Sequence, residues 1–200
     1  MLIKIIFVLL FGAAVVPPGT TTKVDLDADG QPESLIVKRQ ANGLVPQLGD
    51  TCGLKPVLYP LAPPANTVRA LRAVEADGDF NRPEILISEL AGARPDGIGV
   101  LRVLRYDDSP TNGPGCQRPK VLFSYRSDHP ASVKGYATLK SSSEIVSVDG
   151  DRPARITVTE ILRAESKTAP VQRRQRRVTL RYSKSDDQFV VSSITNQPLK

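Results

Sequence analysis

The sequence predicts an all-β, or nearly all-β, single domain, because strand-like segments recur along it and helical ones do not. Val178, Leu180 and Tyr182 alternate with polar residues, as in a strand with one buried face. After residue 20, no stretch has a sustained helical period, and residues 67–75 come nearest. The segments richest in Val, Ile, Leu, Thr and aromatic residues are residues 97–106, 120–125, 155–161, 177–183 and 188–194.

Three acidic loops, beginning near residues 25, 75 and 147, each lead into a short apolar run. Residues 52–59 and 116–123 also resemble each other, and each begins with a cysteine. These similarities predict three divergent β repeats over residues 23–200, because one such unit alone could not bury its apolar face. The pattern leaves an incomplete propeller-like arrangement, a sandwich and a barrel as alternatives.

The first residues differ in composition from the rest of the chain. Residues 1–16 hold one lysine, then an apolar run and small residues, which is typical of a secretory signal peptide. The apolar run is short for a membrane span, which needs about 20 residues, but retention as a membrane anchor is the alternative. Residues 17–22, rich in proline and threonine, are predicted to form a tether.

The first acidic loop, residues 25–33, has the ligand spacing of a calcium-binding loop. Its carboxylates occupy positions 1, 3, 5 and 9, and position 7 would offer a backbone carbonyl. The candidate ligands are Asp25, Asp27, Asp29, Gln31 and Glu33. An Asp-rich turn is the alternative, since Asp and Gly are also favoured in turns. The predicted cofactor is a structural Ca²⁺ ion.

The second and third loops depart from this spacing. The second has one extra residue before its closing glutamate, and Arg82 within it could compete with a metal. Its candidate ligands are Glu75, Asp77, Asp79, Asn81 and Glu84. The third loop, residues 147–155, has Arg155 where the first has Glu33, which predicts a structural turn rather than a metal site.

The first loop and the run Leu35-Ile36-Val37 that follows it together resemble the calcium loops of FG-GAP and VCBS repeats. The resemblance is limited to the acidic loops and their following strands, and it carries over residue by residue to the four carboxylates of the first loop. It implies blades of integrin-like β-propellers in exported and cell-surface proteins. Closed propellers need four or more blades, so three repeats imply at most an incomplete one.

The cysteine content is consistent with export. Cys52 and Cys116 are the only cysteines, and two cysteines in an oxidising compartment are expected to form a disulfide. Two free buried thiols are the alternative. No second cysteine or histidine lies near either of them to suggest a zinc site.

Charge is concentrated in the second half of the chain. Residues 1–100 carry a net charge of −2 and residues 101–200 a net charge of +8. The densest basic run offers Arg173, Arg174, Arg176 and Arg177 as candidate anion-binding residues. A solvated hairpin end is the alternative interpretation. The run has no interleaved aromatic residues for base stacking, so no nucleic-acid partner is expected.

The sequence gives little support for catalysis. His129 is the only histidine, and no nucleophile, phosphate-loop or histidine-bearing metal motif accompanies it. The primary hypothesis is an exported, non-catalytic, calcium-stabilised β module that binds a protein or an acidic glycan at the cell envelope. A membrane-anchored accessory subunit of a larger membrane complex, in contact with the membrane through residues 1–16, is the alternative. A glycan hydrolase would need two carboxylates facing one cleft.

Overall fold

The structure, a computed structural model, describes residues 16–49, 57–79, 82–92, 98–108, 117–127, 138–148, 156–165, 168 and 170–199. Within these ranges the chain forms twelve β-strands and no helix, which confirms the all-β prediction. In chain order the strands are β1 (Thr21–Val24), β2 (Glu33–Gln40), β3 (Gly43–Leu48), β4 (Val57–Leu58), β5 (Thr67–Val74), β6 (Glu84–Ala91), β7 (Ile98–Asp108), β8 (Gln117–Arg126), β9 (Thr138–Val148), β10 (Ile156–Glu165), β11 (Gln172–Ser183) and β12 (Gln188–Leu199).

The strands form three four-stranded antiparallel sheets, none of which closes into a barrel. Sheet I contains β1 to β4, sheet II contains β5 to β8, and sheet III contains β9 to β12. In each sheet every strand pairs with its neighbours in sequence, so each sheet is a simple meander. Each acidic loop therefore joins the first strand of a sheet to the second.

Two hydrophobic cores place sheet II between the other two sheets. Val24, Leu35 and Leu48 of sheet I pack with Ile85 and Ile87 of sheet II. The second core packs the opposite face of sheet II against sheet III, and it includes Leu86, Val103, Ile156, Val178 and Phe189. Because both faces of β6 are covered, its first seven residues are all buried.

Strand β5 explains why residues 67–75 have the most helix-like spacing in the sequence. Val68, Leu71 and Val74 are buried and three residues apart. A register shift between Val68 and Ala70 in the pairing with β6 interrupts the alternation of the strand. Val68 and Leu71 consequently join the first core, whereas Val74 joins the second.

Residues 17–22 do not form the predicted tether. Thr21 and Thr22 belong to β1, and Pro18 forms a parallel bridge with Val37. Val16 is buried in the first core, and its backbone N–H donates to the carbonyl of Leu71. Residues 16–22 therefore belong to the folded domain, because the apolar side chain of Val16 is buried between sheets I and II.

A buried ion pair holds the β4–β5 connection against sheet II. The Arg102 guanidinium on β7 donates to the carboxylate of Glu89 on β6, with Nε 2.8 Å from Oε1, and also to the carbonyl of Pro60. The other oxygen of Glu89 accepts from the Ala62 N–H at 2.8 Å. Arg102 also stacks on Tyr59, 4.8 Å from the ring centroid.

Candidate metal centres at two acidic loops

Three of the predicted ligands converge in the first loop. The side chains of Asp25, Asp27 and Asp29 each place a carboxylate oxygen within 4.8 Å of the others. Asp27 is buried, Asp25 is half-buried and Asp29 is exposed, so the group opens to solvent on one side. Hard cations such as Ca²⁺ take carboxylate oxygens arranged in this way.

The hydrogen bonds of these carboxylates leave one buried oxygen without a partner. Asp27 Oδ1 accepts from the Asp29 N–H at 3.1 Å, and Asp29 Oδ1 accepts from the Gln31 N–H at 2.6 Å. Asp25 Oδ2 accepts from the Gly30 N–H at 3.0 Å, whereas the buried Asp25 Oδ1 has no hydrogen-bond partner. A bound cation would give this oxygen a partner. Burial, with the repulsion of Asp29 and Asp25, raises the pKa of Asp27 despite its backbone hydrogen bond.

Glu33 is not part of the converging group. It is the first residue of β2, its side chain is buried, and its Oε2 accepts from the Leu26 N–H at 2.7 Å. Leu26 in turn is fully buried in the first core. Glu33 therefore links the loop to the start of β2 through this hydrogen bond. Burial raises the pKa of Glu33. Gln31, the other predicted ligand, is exposed, and its N–H donates within the loop.

The first loop contains one residue in an unfavourable backbone conformation. Ala28 has φ 65°, in the left-handed region that a Cβ atom disfavours, and Gly30 has φ 85°. The second loop has Gly78 at the place of Ala28, with φ 93°. In both of these loops the residue between the second and third acids is left-handed, and of the two it is the second loop that supplies a glycine there.

The second loop brings together a different set of ligands. Carboxylate oxygens of Glu75, Asp77 and Glu84 lie within 4.8 Å of one another. Asp79 is not in this group, although its N–H donates to Asp77 Oδ1 at 2.6 Å. The closing glutamate joins the cluster here, whereas Glu33 does not join that of the first loop.

Glu84 is the most unusual ionisable group among the described residues. Its side chain is fully buried, Oε2 accepts from the Ala76 N–H at 2.7 Å, and Oε1 has no hydrogen-bond partner. Burial and the neighbouring Asp77 carboxylate raise the pKa of Glu84 to about 9. The group therefore carries a proton at neutral pH unless a cation takes its place.

An arginine that the sequence did not indicate reaches the second cluster. Arg105 on β7 places Nη1 2.8 Å from Asp77 Oδ2 and also binds Tyr182 of β11 and Asp187 of the β11–β12 turn. Arg82, which could compete with a metal according to the sequence, donates its backbone N–H to the Asp79 carbonyl. Arg105 lies 28 residues after Asp77, so only the β5–β6–β7 meander brings the two together. Its positive charge makes the second loop less attractive to a divalent cation than the first.

Several predicted features lie outside the described residues. They are Asn81, both cysteines, His129 and residues 149–155 of the third loop. Residues 1–15, with most of the predicted signal peptide or anchor, also lie outside; within the described ranges, no helix has the length and apolarity to cross a membrane.

The basic run lies in the half of β11 next to the β10–β11 connection. Strand alternation separates its four arginines into two pairs on opposite faces of sheet III. Arg174 and Arg176 share the face of the buried Val178, and Arg176 lies opposite the buried Glu160 of β10. The pair Arg173 and Arg177 points the other way and is exposed.

Comparisons of the chain with protein-family models, with curated proteins and with solved structures found no match.

Proposed function

We propose that this protein is an exported, non-catalytic interaction module of the cell envelope whose β-sheets are stabilised by calcium. One observation carries the proposal: the carboxylates of Asp25, Asp27 and Asp29 converge, and the buried Asp25 Oδ1 lacks a partner. The oxygen-rich, strongly negative group suits Ca²⁺ better than a metal that prefers nitrogen or sulfur ligands.

A cation in this loop would stabilise the contact between sheets I and II. Two of the three aspartates, Asp25 and Asp27, flank Leu26, which is fully buried in the core between the two sheets. Without a cation, the mutual repulsion of the three carboxylates opposes the loop conformation that buries Leu26. Calcium would remove that repulsion, so its role is structural.

The three sheets also support the interpretation as divergent repeats related to FG-GAP and VCBS blades. Each sheet is a four-stranded meander with an acidic loop after its first strand. Leu26 and Ala76 occupy matching places, since each is buried in an inter-sheet core and donates its N–H to the closing glutamate of its loop. In this interpretation the molecule is an incomplete propeller of three blades, with sheet II in the middle.

Export would supply the ion and the oxidising conditions that the module needs. Millimolar external calcium fills even weak extracellular sites, and Cys52 and Cys116 would form a disulfide in that compartment. Residues 1–16 would act as the signal peptide or as an anchor that keeps the module at the membrane.

The proposal is tested by thermal unfolding of the full chain in 10 mM CaCl₂ and in EGTA. At a free calcium concentration of about 10 to 100 times Kd, the stabilisation is about 1.4–2.7 kcal/mol, which raises Tm by roughly 3 to 10 °C. Asp27→Asn keeps the side-chain carbonyl that accepts from Asp29 but loses the charge, so it should abolish the shift.

Asp186→Asn, at an exposed turn residue, is the matched control and should keep the shift. Equal melting temperatures with calcium and with EGTA in the wild-type chain would contradict the proposal. A shift that persists in Asp27→Asn would place the cation elsewhere.

A further inference from the structure

The outward face of sheet III combines exposed cations with uncharged hydrogen-bonding groups. On β11 this face carries Arg173, Arg177 and Arg181, which are all exposed, and the face turned towards sheet II carries Val178 and Leu180. The arginines are four residues apart, so at a rise of about 3.3 Å per residue they are spaced by about 13 Å along one line.

Among the residues that the structure describes, no direct cross-strand partner of these arginines is a carboxylate. Arg177 pairs with Thr159 of β10 and Thr195 of β12, and Arg181 pairs with Val190 of β12. The cross-strand partners of Arg173 are Arg163 and Leu199. Arg176, on the opposite face, differs from these three arginines because its cross-strand partner is the carboxylate residue Glu160. The positive charge of the outward face is therefore not neutralised by its cross-strand neighbours.

We propose that this face binds a linear anionic polysaccharide along β11. Sulfate or carboxylate groups of the polymer would bind the arginine guanidinium groups, which match such oxyanions with paired N–H donors. Sugar hydroxyls would bind the polar side chains between the arginines. Those side chains are Thr157, Thr159, Gln175, Thr179, Ser193, Thr195 and Gln197.

Charge complementarity and side-chain type favour a polysaccharide over other polyanions. Nucleic-acid strands are commonly held by aromatic stacking, and the described outward positions of β10, β11 and β12 carry no aromatic residue. The exposed apolar residues Val191 and Ile194 of β12 pair with Leu180 and Val178, and so lie on the opposite face. On the arginine face, the apolar residues Ile161 and Val190 are only half-exposed, so this face has few of the protruding apolar side chains that insert into a lipid surface.

The inference rests on the proposed role as an interaction module, but not on calcium. Binding of the full chain to heparin and to polygalacturonate, probes with sulfate and carboxylate groups respectively, would be measured by titration calorimetry at several salt concentrations. The variant Arg173→Gln/Arg177→Gln/Arg181→Gln should bind either probe about tenfold or more weakly, with a salt slope smaller by about two to three. All three side chains are exposed, so the variant should keep the wild-type melting curve in calcium and in EGTA. A loss of polysaccharide binding in this variant can therefore be told apart from a failure of the calcium proposal.

Lys23→Gln/Lys38→Gln/Arg39→Gln removes the same charge from exposed residues of sheet I and is the matched control. It should leave the affinity for heparin and polygalacturonate within about twofold, because these residues lie outside the arginine face. No binding of either probe, or equal losses in the two triple variants, would overturn the inference. It would also be overturned if duplex DNA or phosphatidylglycerol vesicles bound as tightly through the same three arginines.

Discussion

Replacing Glu84 by glutamine removes an ionisable carboxyl group from the interior without changing its shape. In the wild-type chain, Oε2 accepts from the Ala76 N–H, and a glutamine carbonyl oxygen can keep that hydrogen bond. Oε1, which is buried and has no partner, becomes an amide that can donate to the nearby Asp77 carboxylate. The variant therefore isolates the effect of the proton on Glu84.

The magnitude follows from the raised pKa of this carboxyl group. Burial and the Asp77 carboxylate raise it from 4.5 to about 9. Between these two values the folded state holds a proton that the unfolded state has released, so this stabilisation is complete below pH 4.5 and is lost as pH rises towards 9. Each pH unit removes about 1.4 kcal/mol, so a rise from pH 5 to pH 8 lowers the free energy of unfolding by about 4 kcal/mol.

Urea unfolding of both proteins in EGTA at pH 5, 6.5 and 8 measures this difference. The wild-type free energy of unfolding should fall with pH, and that of Glu84→Gln should fall by about 4 kcal/mol less. Asp186→Asn should follow the wild-type profile. Parallel profiles for wild type and Glu84→Gln would refute a protonated, buried Glu84.

Further substitutions test the loop backbone, the buried ion pair and the link between sheets II and III. Ala28→Gly should stabilise the fold by about 0.5–1 kcal/mol in urea unfolding, because it relieves a left-handed alanine, and Gly78→Ala should destabilise it by about 1 kcal/mol. Arg102→Met should cost about 3–5 kcal/mol in the same assay by leaving the Glu89 carboxylate buried and unpaired, and adding Glu89→Leu should restore most of the loss. Burial alone would raise the pKa of Asp187, but hydrogen bonds from Lys120, Tyr182 and Arg105 lower it. The stabilisation that the Asp187 carboxylate contributes is therefore lost as pH falls below about 4. Asp187→Asn should reduce the acid sensitivity of Tm by an amount equivalent to about 1 kcal/mol, since the side chain is partly exposed.

The strands were predictable where apolar and polar residues alternate along the chain. Val178, Leu180 and Tyr182 gave the correct face of β11, because apolar side chains every second residue can be buried only in a strand. Strand β5 was harder to predict, since the register shift after Val68 produces a three-residue spacing of apolar residues that resembles the spacing in a helix. Bulges depend on pairing with another strand, so a single segment does not reveal them.

The candidate sites were predictable only in their local part. The spacing of Asp25, Asp27 and Asp29 places three carboxylates on one side of a turn, and the structure brings them together. The separate role of Glu33 and the approach of Arg105 to Asp77 depend on the sheet, which joins residues distant in sequence. Sequence alone supplied no signal for either contact.

Calcium titration of the full chain by isothermal calorimetry, with Asp25→Asn beside the wild type, tests the proposed metal site most directly. We expect saturable binding in the wild type, with Kd of about 10⁻⁴ to 10⁻³ M as for extracellular modules, and one site fewer in Asp25→Asn. Absence of saturable binding at millimolar calcium would contradict a metal site in the first loop and leave its three aspartates as the caps of a turn.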